Sequence, residues 1–337
     1  MDVPQYDLPA EAIAQYPVEP RHAARLLVSL DPASPPQHLR VSNLPELLGE
    51  GDVLVVNTTK VIPARLRLTK RSGGAAEVLL LEPDGGDVAA TEWTALVRPG
   101  RRLPAGTILW AGGRELVEVG DAVGDGRRRV RLLAGADSVP DLLAAVGTVP
   151  LPPYIHQALP DDSRYQTVYA DRPGSVAAPT AGLHLSRQVL DACRERGVTV
   201  AEVDLAVGLG TFRPVTAEKV EDHVMHRERY RIPEATMAAC AAARRVVAVG
   251  TTTVRALESA AASGALAGET ELFIHGKYRF QVVDVLLTNF HQPRSSLLVL
   301  LEAFCGPRWR ELYREALAEG YRFLSFGDCM LVGGMTA

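Results

Sequence analysis

G-S-V-A-A-P-T-A-G-L-H-L-S, residues 174–186, follows the polar, aromatic run Arg164-Tyr165-Gln166-Thr167-Val168-Tyr169 and leads straight into an amphipathic helix pattern. It reads as a strand-to-helix connection. The small residues Ala177, Ala178, Ala181 and Gly182 let a backbone approach a ligand closely, and glycine takes dihedrals that other residues avoid. Pro179 removes one donor and fixes a turn. Thr180 and His184 are then the side chains left to meet whatever fills the space. Taken alone, a tight connection around a buried histidine explains the stretch equally well.

Working downstream, Ser186 is placed to cap a helix with apolar face Val189, Leu190 and Cys193, and Gly197 to stop it. Val198–Val207 alternates as a strand and runs into Gly208-Leu209-Gly210-Thr211, a G-x-G with no third glycine and no Walker-type G-K-[ST]. Arg245–Val249 reads as a strand ending in Gly250-Thr251-Thr252-Thr253, which opens a helix carrying Val254, Leu257 and Glu258. Val282–Leu287 is another, ending in Thr288-Asn289-Phe290-His291, with Ser295 or Ser296 capping the next helix. Tyr321–Leu324 leads into Ser325-Phe326-Gly327-Asp328.

Upstream, Gly51-Asp52-Val53-Leu54-Val55-Val56 is a continuous apolar run, as expected of a parallel strand covered on both faces. It ends in Asn57-Thr58-Thr59-Lys60. An earlier strand, Leu26–Leu30, is preceded by Arg21, His22 and Arg25, a charge cluster whose two arginines suit an anion. Polar loops at 57–60, 179–184, 250–255, 288–296 and 325–328 thus each follow an apolar or small-residue stretch. In open α/β sheets such loops gather at the carboxyl ends of the strands, where ligands bind. Thr251, Thr252, Thr253 and Arg255 at a helix start predict an anion site for a carboxylate or phosphate.

Residues 66–150 have a different texture. Glu77–Leu81, Thr94–Val97, Thr107–Trp110, Leu116–Val119 and Arg128–Leu133 are separated by turn signals such as Gly73-Gly74, Asp84-Gly85-Gly86, Gly112-Gly113 and Asp125-Gly126. Short strands at about ten-residue spacing argue a small antiparallel barrel or sandwich. The expected organisation is an α/β layered domain with a mostly parallel or mixed sheet (1–65 and 151–337), interrupted by an inserted antiparallel β-barrel (66–150). The second part, 151–337, carries most of the candidate site. The Pro-rich stretch Val149–Tyr154 is a stiff connector.

The 337-residue chain is 47% hydrophobic and 23% charged, ordinary values for a soluble globular protein large enough for two domains. A net charge of −4 does not mark a general nucleic-acid binder, so any RNA contact must use a local patch. Neither a signal peptide nor a membrane span is expected. Cys193, Cys240, Cys305 and Cys329 lack metal or redox spacing and read as free thiols in a reducing cytoplasm. His223 and His226, three apart and near Glu228, could share a metal, but no third ligand stands at the right spacing, so a metal-free site is expected. His184 and His291 lie in small-residue or Pro-bounded loops and are the better acid/base candidates.

A-A-P-T-A-G-L-H (177–184), V-G-L-G-T-F-R-P-V (207–215), H-V-M-H-R-E (223–228), V-G-T-T-T-V-R-A-L-E-S (249–259) and L-L-T-N-F-H-Q-P-R-S-S-L-L (286–298) together resemble the S-adenosylmethionine:tRNA ribosyltransferase-isomerases of queuosine biosynthesis. Trp93–Arg102, V-P-L-P-P-Y-I (149–155) and Y-R-F-L-S-F-G-D-C-M-L (321–331) extend the resemblance over essentially the whole chain. It implies a β-barrel inserted into an α/β domain. The activity implied is transfer and isomerisation of the ribosyl part of S-adenosylmethionine onto 7-aminomethyl-7-deazaguanine at the tRNA wobble position, giving epoxyqueuosine, adenine and methionine. S-adenosylmethionine is then a co-substrate with no further cofactor, tRNA is the partner, and a cytoplasmic monomer is expected. A related ribosyl transferase with another amine acceptor, or a non-catalytic RNA-binding paralogue, are the alternatives.

Within the matching motifs, the titratable candidates are His184, His223, His226, His291 and Asp328. Substrate contacts are expected from Arg21, Arg25, Asn57, Lys60, Pro179, Thr180, Gly182, Thr251, Thr252, Thr253, Arg255, Thr288, Asn289 and Arg294. The chain departs from the family pattern in four places. N-D-T-R-V is here Asn57-Thr58-Thr59-Lys60-Val61, and the His before V-G-L-G-T-F is Ala206. Y-P-G-Y is His275-Gly276-Lys277-Tyr278, and R-D-A-S-R-L is Arg21-His22-Ala23-Ala24-Arg25-Leu26. Lysine does not reproduce arginine's bidentate fork, so anion contacts near 60 are expected to differ.

Overall fold

The structure is a computed structural model and describes residues 1–335 other than 136, 209–213 and 226, with the backbone alone at 101. The chain forms two compact units. One comprises Met1–Lys60, Pro152–Arg172 and Ala178–Ala337, and the other Val61–Leu151 with Pro173–Ala177.

The larger unit is built on a nine-stranded mixed sheet. Its parallel centre is Thr199–Leu205, Asp52–Asn57, Arg245–Val249 and Val285–Asn289, in that spatial order. Every residue of Asp52–Asn57 and Val285–Asn289 is buried, as their continuous apolar runs require. Cys329–Gly333 runs antiparallel to Val285–Asn289, with Asn289 opposite Cys329, and Arg25–Ser29 lies parallel to it with Leu26 opposite Cys329. Leu205, Asn57, Val249, Asn289, Asp328 and Arg25 therefore all sit along one edge of the sheet.

The helices follow the predicted caps closely. Arg187–Glu195 starts at Ser186, whose hydroxyl accepts the Val189 N–H at 3.3 Å, and it buries Val189, Leu190 and Cys193. Ser295, not Ser296, caps Ser296–Cys305 by accepting the Leu298 N–H at 3.2 Å. Thr251–Ser263 differs, because Gly250 precedes it at φ 88° and no side chain caps its N-terminus. On one sheet face Leu54, Val56, Val247, Val249 and Val285 pack with Ala181, Leu185, Val189 and Leu190. Among the described residues no helix is long and apolar enough to cross a membrane.

Two expectations shift, and three edge strands are not foreseen from the sequence. Tyr321–Leu324 forms no strand, and the strand lies further on at Cys329–Gly333. Val282–Leu287 begins later, at Val285, because Val282 and Val283 give their N–H groups to the Glu258 carboxylate instead of a ladder. The edge strands Gln37–Arg40, Glu228–Arg231 and Ala267–Thr270 carry too little apolar alternation to stand out in the sequence.

The second unit is an antiparallel barrel of Arg65–Lys70, Ala75–Pro83, Glu92–Arg98, Arg127–Leu132, Arg114–Gly124 and Thr107–Ala111. It closes where Thr69 pairs with Trp110 and Lys70 with Leu109. Asp125 and Gly126 both take positive φ (50° and 74°), the conformation a two-residue hairpin turn demands. Leu66, Leu68, Val78, Leu80, Trp93, Val97, Val117 and Val130 fill its interior.

Candidate active site

The 179–184 loop is a single 3-10 turn, Thr180–His184, entered through Pro179 and buried at its last four residues. Gly182 is obligatory here, since a Cβ would fall 2.0 Å from the Tyr169 hydroxyl oxygen. The turn delivers two groups to Asn289. The Thr180 hydroxyl donates to Asn289 Oδ1 at 3.1 Å. Asn289 Nδ2 donates to the Leu324 carbonyl at 3.2 Å and lies 2.8 Å from His184 Nε2. The carbonyl partner fixes the amide's orientation, so His184 Nε2 accepts and the ring proton sits on Nδ1.

Burial, reinforced by the charges of Arg322, Arg164 and Arg21, pushes the His184 pKa down to about 3. Burial alone does the same for His291, also to about 3. Both imidazoles are therefore neutral at physiological pH. His291 Nε2 lies 2.9 Å from the Thr288 hydroxyl. Its backbone is bracketed by two tyrosines: its N–H donates to Tyr313 Oη at 2.8 Å and its carbonyl accepts from Tyr6 Oη at 2.6 Å. Those rings belong to an edge-to-face cluster with Phe290, Trp309 and Phe323, which makes the 288–291 loop stiff.

Two clefts meet at Leu297. One is lined by Tyr154, Thr180, Asn289, His291, Ser295 and Ser325 among others, with the Tyr154 and Ser325 hydroxyls 2.7 Å apart. The other is mainly apolar (Met225, Leu272, Phe273, Ile274, Leu300) and is also lined by Thr251, Thr252 and Arg255. Arg255 is only 5% exposed. Its Nε donates to the Leu272 carbonyl at 3.1 Å and its Nη1 to the buried Glu228 carboxylate. Arg255 Nη2 has no hydrogen-bond partner among the described residues. The N–H groups of Thr251, Thr252 and Thr253 open the helix and have no intrahelical acceptors. Arg255 and the start of this helix thus both border the apolar slot.

The remaining expected residues divide differently from the sequence reading. Asp328 accepts the backbone N–H of Arg25 and of Arg322, each at 2.8 Å, one on each oxygen. Its carboxylate clamps two backbone segments, and this occupation makes it a brace. Arg21 donates to the Leu183 and Ser163 carbonyls at 3.2 Å each, and burial lowers its pKa to about 10. Arg25 donates to the Glu319 carbonyl at 2.6 Å and stacks over Tyr321. Arg294, at φ 56°, reaches the Val215 and Ala217 carbonyls. These three guanidinium groups are engaged by the chain's own carbonyls, which a charge cluster in sequence does not reveal.

Asn57 likewise continues the sheet with its side chain, donating to the Leu205 carbonyl at 3.0 Å and accepting the Leu205 and Thr59 N–H groups at 3.1 Å each. Thr253 turns its hydroxyl back to the Val249 carbonyl. Lys60 is exposed in the middle of the short strand Thr59–Val61. His223 packs edge-on to Phe273, and His226, its partner in the expected pair, lies outside the described residues. Among the described residues no group of three metal-ligating side chains occurs. Tyr154 and Leu297 are not expected at the site from sequence, because one residue in a Pro-rich connector and one in an apolar helix carry no signal of their own, while Ser325 belongs to the 325–328 loop, of which only Asp328 is expected as a site residue.

The family described as queuosine biosynthesis protein matches residues 2–332. An S-adenosylmethionine:tRNA ribosyltransferase-isomerase of Rubrobacter xylanophilus is 52% identical over 330 residues, covering 98% of this chain and 96% of its own. One of Thermus thermophilus is 51% identical over 342 residues, covering 97% of each. The crystal structure of S-adenosylmethionine tRNA ribosyltransferase from Thermotoga maritima aligns over 97% of this chain and 99% of its own, at 35% identity and a TM-score of 0.55. With its mixed sheet, its closed six-stranded barrel and its loops gathered along one sheet edge, the chain belongs to the queuosine biosynthesis protein family.

Proposed function

We propose that the chain transfers and isomerises the ribosyl moiety of S-adenosylmethionine onto 7-aminomethyl-7-deazaguanine at the tRNA wobble position, forming epoxyqueuosine and releasing adenine and methionine. The observation that carries this reading is the pair of adjoining clefts at the sheet edge, one apolar and ending in a buried cation, the other polar. The apolar slot suits the methionine chain of the donor. Its carboxylate would meet Arg255 Nη2 and the amide groups of Thr251 and Thr252. The polar cleft, with Thr180, Asn289 and His291, then takes the ribosyl part and the base.

The positive sulfonium acidifies the neighbouring ribose carbon, so a neutral base of modest strength starts the reaction. His291 borders the polar cleft and is assigned to proton transfer. His184, whose Nε2 accepts from Asn289, braces that amide together with the Leu324 carbonyl and keeps Nδ1–H as a donor. Adenine departs as its nitrogen is protonated, and the acceptor amine forms a C–N bond to the activated sugar and loses a proton. Methionine leaves as the thioether when a sugar oxygen closes the epoxide and the sulfonium C–S bond breaks. S-adenosylmethionine serves as co-substrate, and no other cofactor is assigned.

Incubation with S-adenosylmethionine and tRNA carrying the aminomethyl precursor tests this. The expected products are adenine and methionine, in step with epoxyqueuosine in the tRNA. No adenine release with that tRNA refutes the reading, and adenine release without change in the tRNA points to a different amine acceptor.

A further inference from the structure

The acid that the family motif places at residue 58 is threonine here, yet the structure puts another acid beside it. Thr199–Leu205 and Asp52–Asn57 are parallel with Val203 opposite Asn57, and the ladder continues as the Thr58 N–H donates to the Val203 carbonyl at 2.9 Å. Asp204 is therefore the next residue up, alongside Thr58. By strand alternation both belong to the face that carries Val56 and Val200, and this face packs against Ala181 and Leu185 of the His184 loop.

We infer that Asp204 is the acceptor-side acid of this chain, supplying from the neighbouring strand the carboxylate that binds N–H donors of the acceptor nucleobase. The inference rests on the proposed activity. Asp204 is half-buried, and among the described residues it forms no ion pair within 4.0 Å; a Thr59 side-chain hydrogen bond bears on its carboxylate, but no guanidinium or pair of backbone N–H groups holds it as they hold Asp52 and Asp328. Burial raises its pKa, and Arg172, Thr59, Arg229 and Arg231 offset part of that rise. A guanine-type base presents a ring N–H and an exocyclic amine on one edge, and a carboxylate accepts both at once. The surrounding charges fit the same ligand. Lys60, Arg172, Arg229 and Arg231 are all exposed, and Arg231 is Asp204's direct cross-strand partner. Cations for a phosphate backbone around one acid for a base edge is the division of labour that nucleotide recognition needs.

The test compares Asp204→Asn with the exchange Thr58→Asp/Asp204→Thr, using S-adenosylmethionine and precursor tRNA. Asp204→Asn is expected to lower kcat/KM for tRNA by about 10- to 100-fold, the usual effect of a lost bidentate base contact. The change should fall in KM and in directly measured tRNA binding, with S-adenosylmethionine affinity within about threefold of wild type. The exchange should restore most of the loss, which a merely structural acid at 204 would not allow. Unchanged tRNA binding in Asp204→Asn overturns the inference, and so does S-adenosylmethionine affinity that falls as far as tRNA affinity. If Asp204→Asn melts early, the exchange variant alone decides, and normal melting with weak tRNA binding counts against the inference. Because tRNA binding is read without turnover, a wild-type protein that released no adenine would refute the proposed activity separately.

Discussion

Acid should weaken this fold through His184 and His291. Each is buried and neutral, with a folded-state pKa of about 3 against 6.5 for the free side chain. The unfolded chain gains protons near pH 6.5 that the folded chain refuses, so stability is full above that pH and is lost as pH falls toward 3. From pH 8 to pH 5.5 the loss is about 1.4 kcal/mol per histidine at 1.36 kcal/mol per pK unit, or roughly 3 kcal/mol for the pair. Substituting His184→Asn and His291→Asn, singly and together, removes the titration while keeping a polar group. Urea unfolding at the two pH values reads the difference. The wild type should lose more stability than each single variant by about 1.4 kcal/mol, and more than the double variant by about twice that. Carboxylate titrations are common to all four proteins and cancel. A double variant with the wild-type pH dependence would show that these imidazoles take up protons in the folded state, and the neutral assignment would fail.

The anion site is tested by Arg255→Lys, which keeps a cation for the buried Glu228 but lacks the second amino group. S-adenosylmethionine affinity should fall about 10-fold or more, read by calorimetry, with tRNA binding unchanged. Arg255→Ala is a poorer probe, because stranding Glu228 costs roughly 3–5 kcal/mol of stability. Gly182→Ala should destabilise the protein and lower activity, since the new methyl meets the Tyr169 hydroxyl at 2.0 Å. Adding Tyr169→Phe should recover part of both, and no recovery would place the strain elsewhere. Asp328→Ala should lower the melting temperature by leaving two backbone N–H groups without their acceptor, a loss of about 1–3 kcal/mol each. At a temperature where it stays folded, its kcat should remain near wild type, and a large loss of kcat would return Asp328 to the reaction itself.

What the residues determine locally was legible in the chain. Ser186 and Ser295 cap their helices because a side-chain oxygen within three residues decides that geometry. Asp52–Asn57 is a covered strand because six buried positions in a row leave no wet face, and Asp125-Gly126 turns because only such residues accept two positive φ values cheaply. The inserted barrel was readable from turn chemistry, and the family from motifs spread along the whole sequence. Only the tertiary structure decided which polar side chains are free. Arg21, Arg25, Arg294 and Asp328 look available in sequence, yet each is held by backbone groups far along the chain. Arg255 stands out in sequence as an anion-binding candidate, but only the fold shows that its guanidinium is shared with Glu228 and the Leu272 carbonyl and leaves one amino group without a partner among the described residues. Asp204 becomes a neighbour of Thr58 only through strand register. Hydrogen-bond satisfaction and register are set by contacts more than a hundred residues apart in sequence, and no local pattern encodes them.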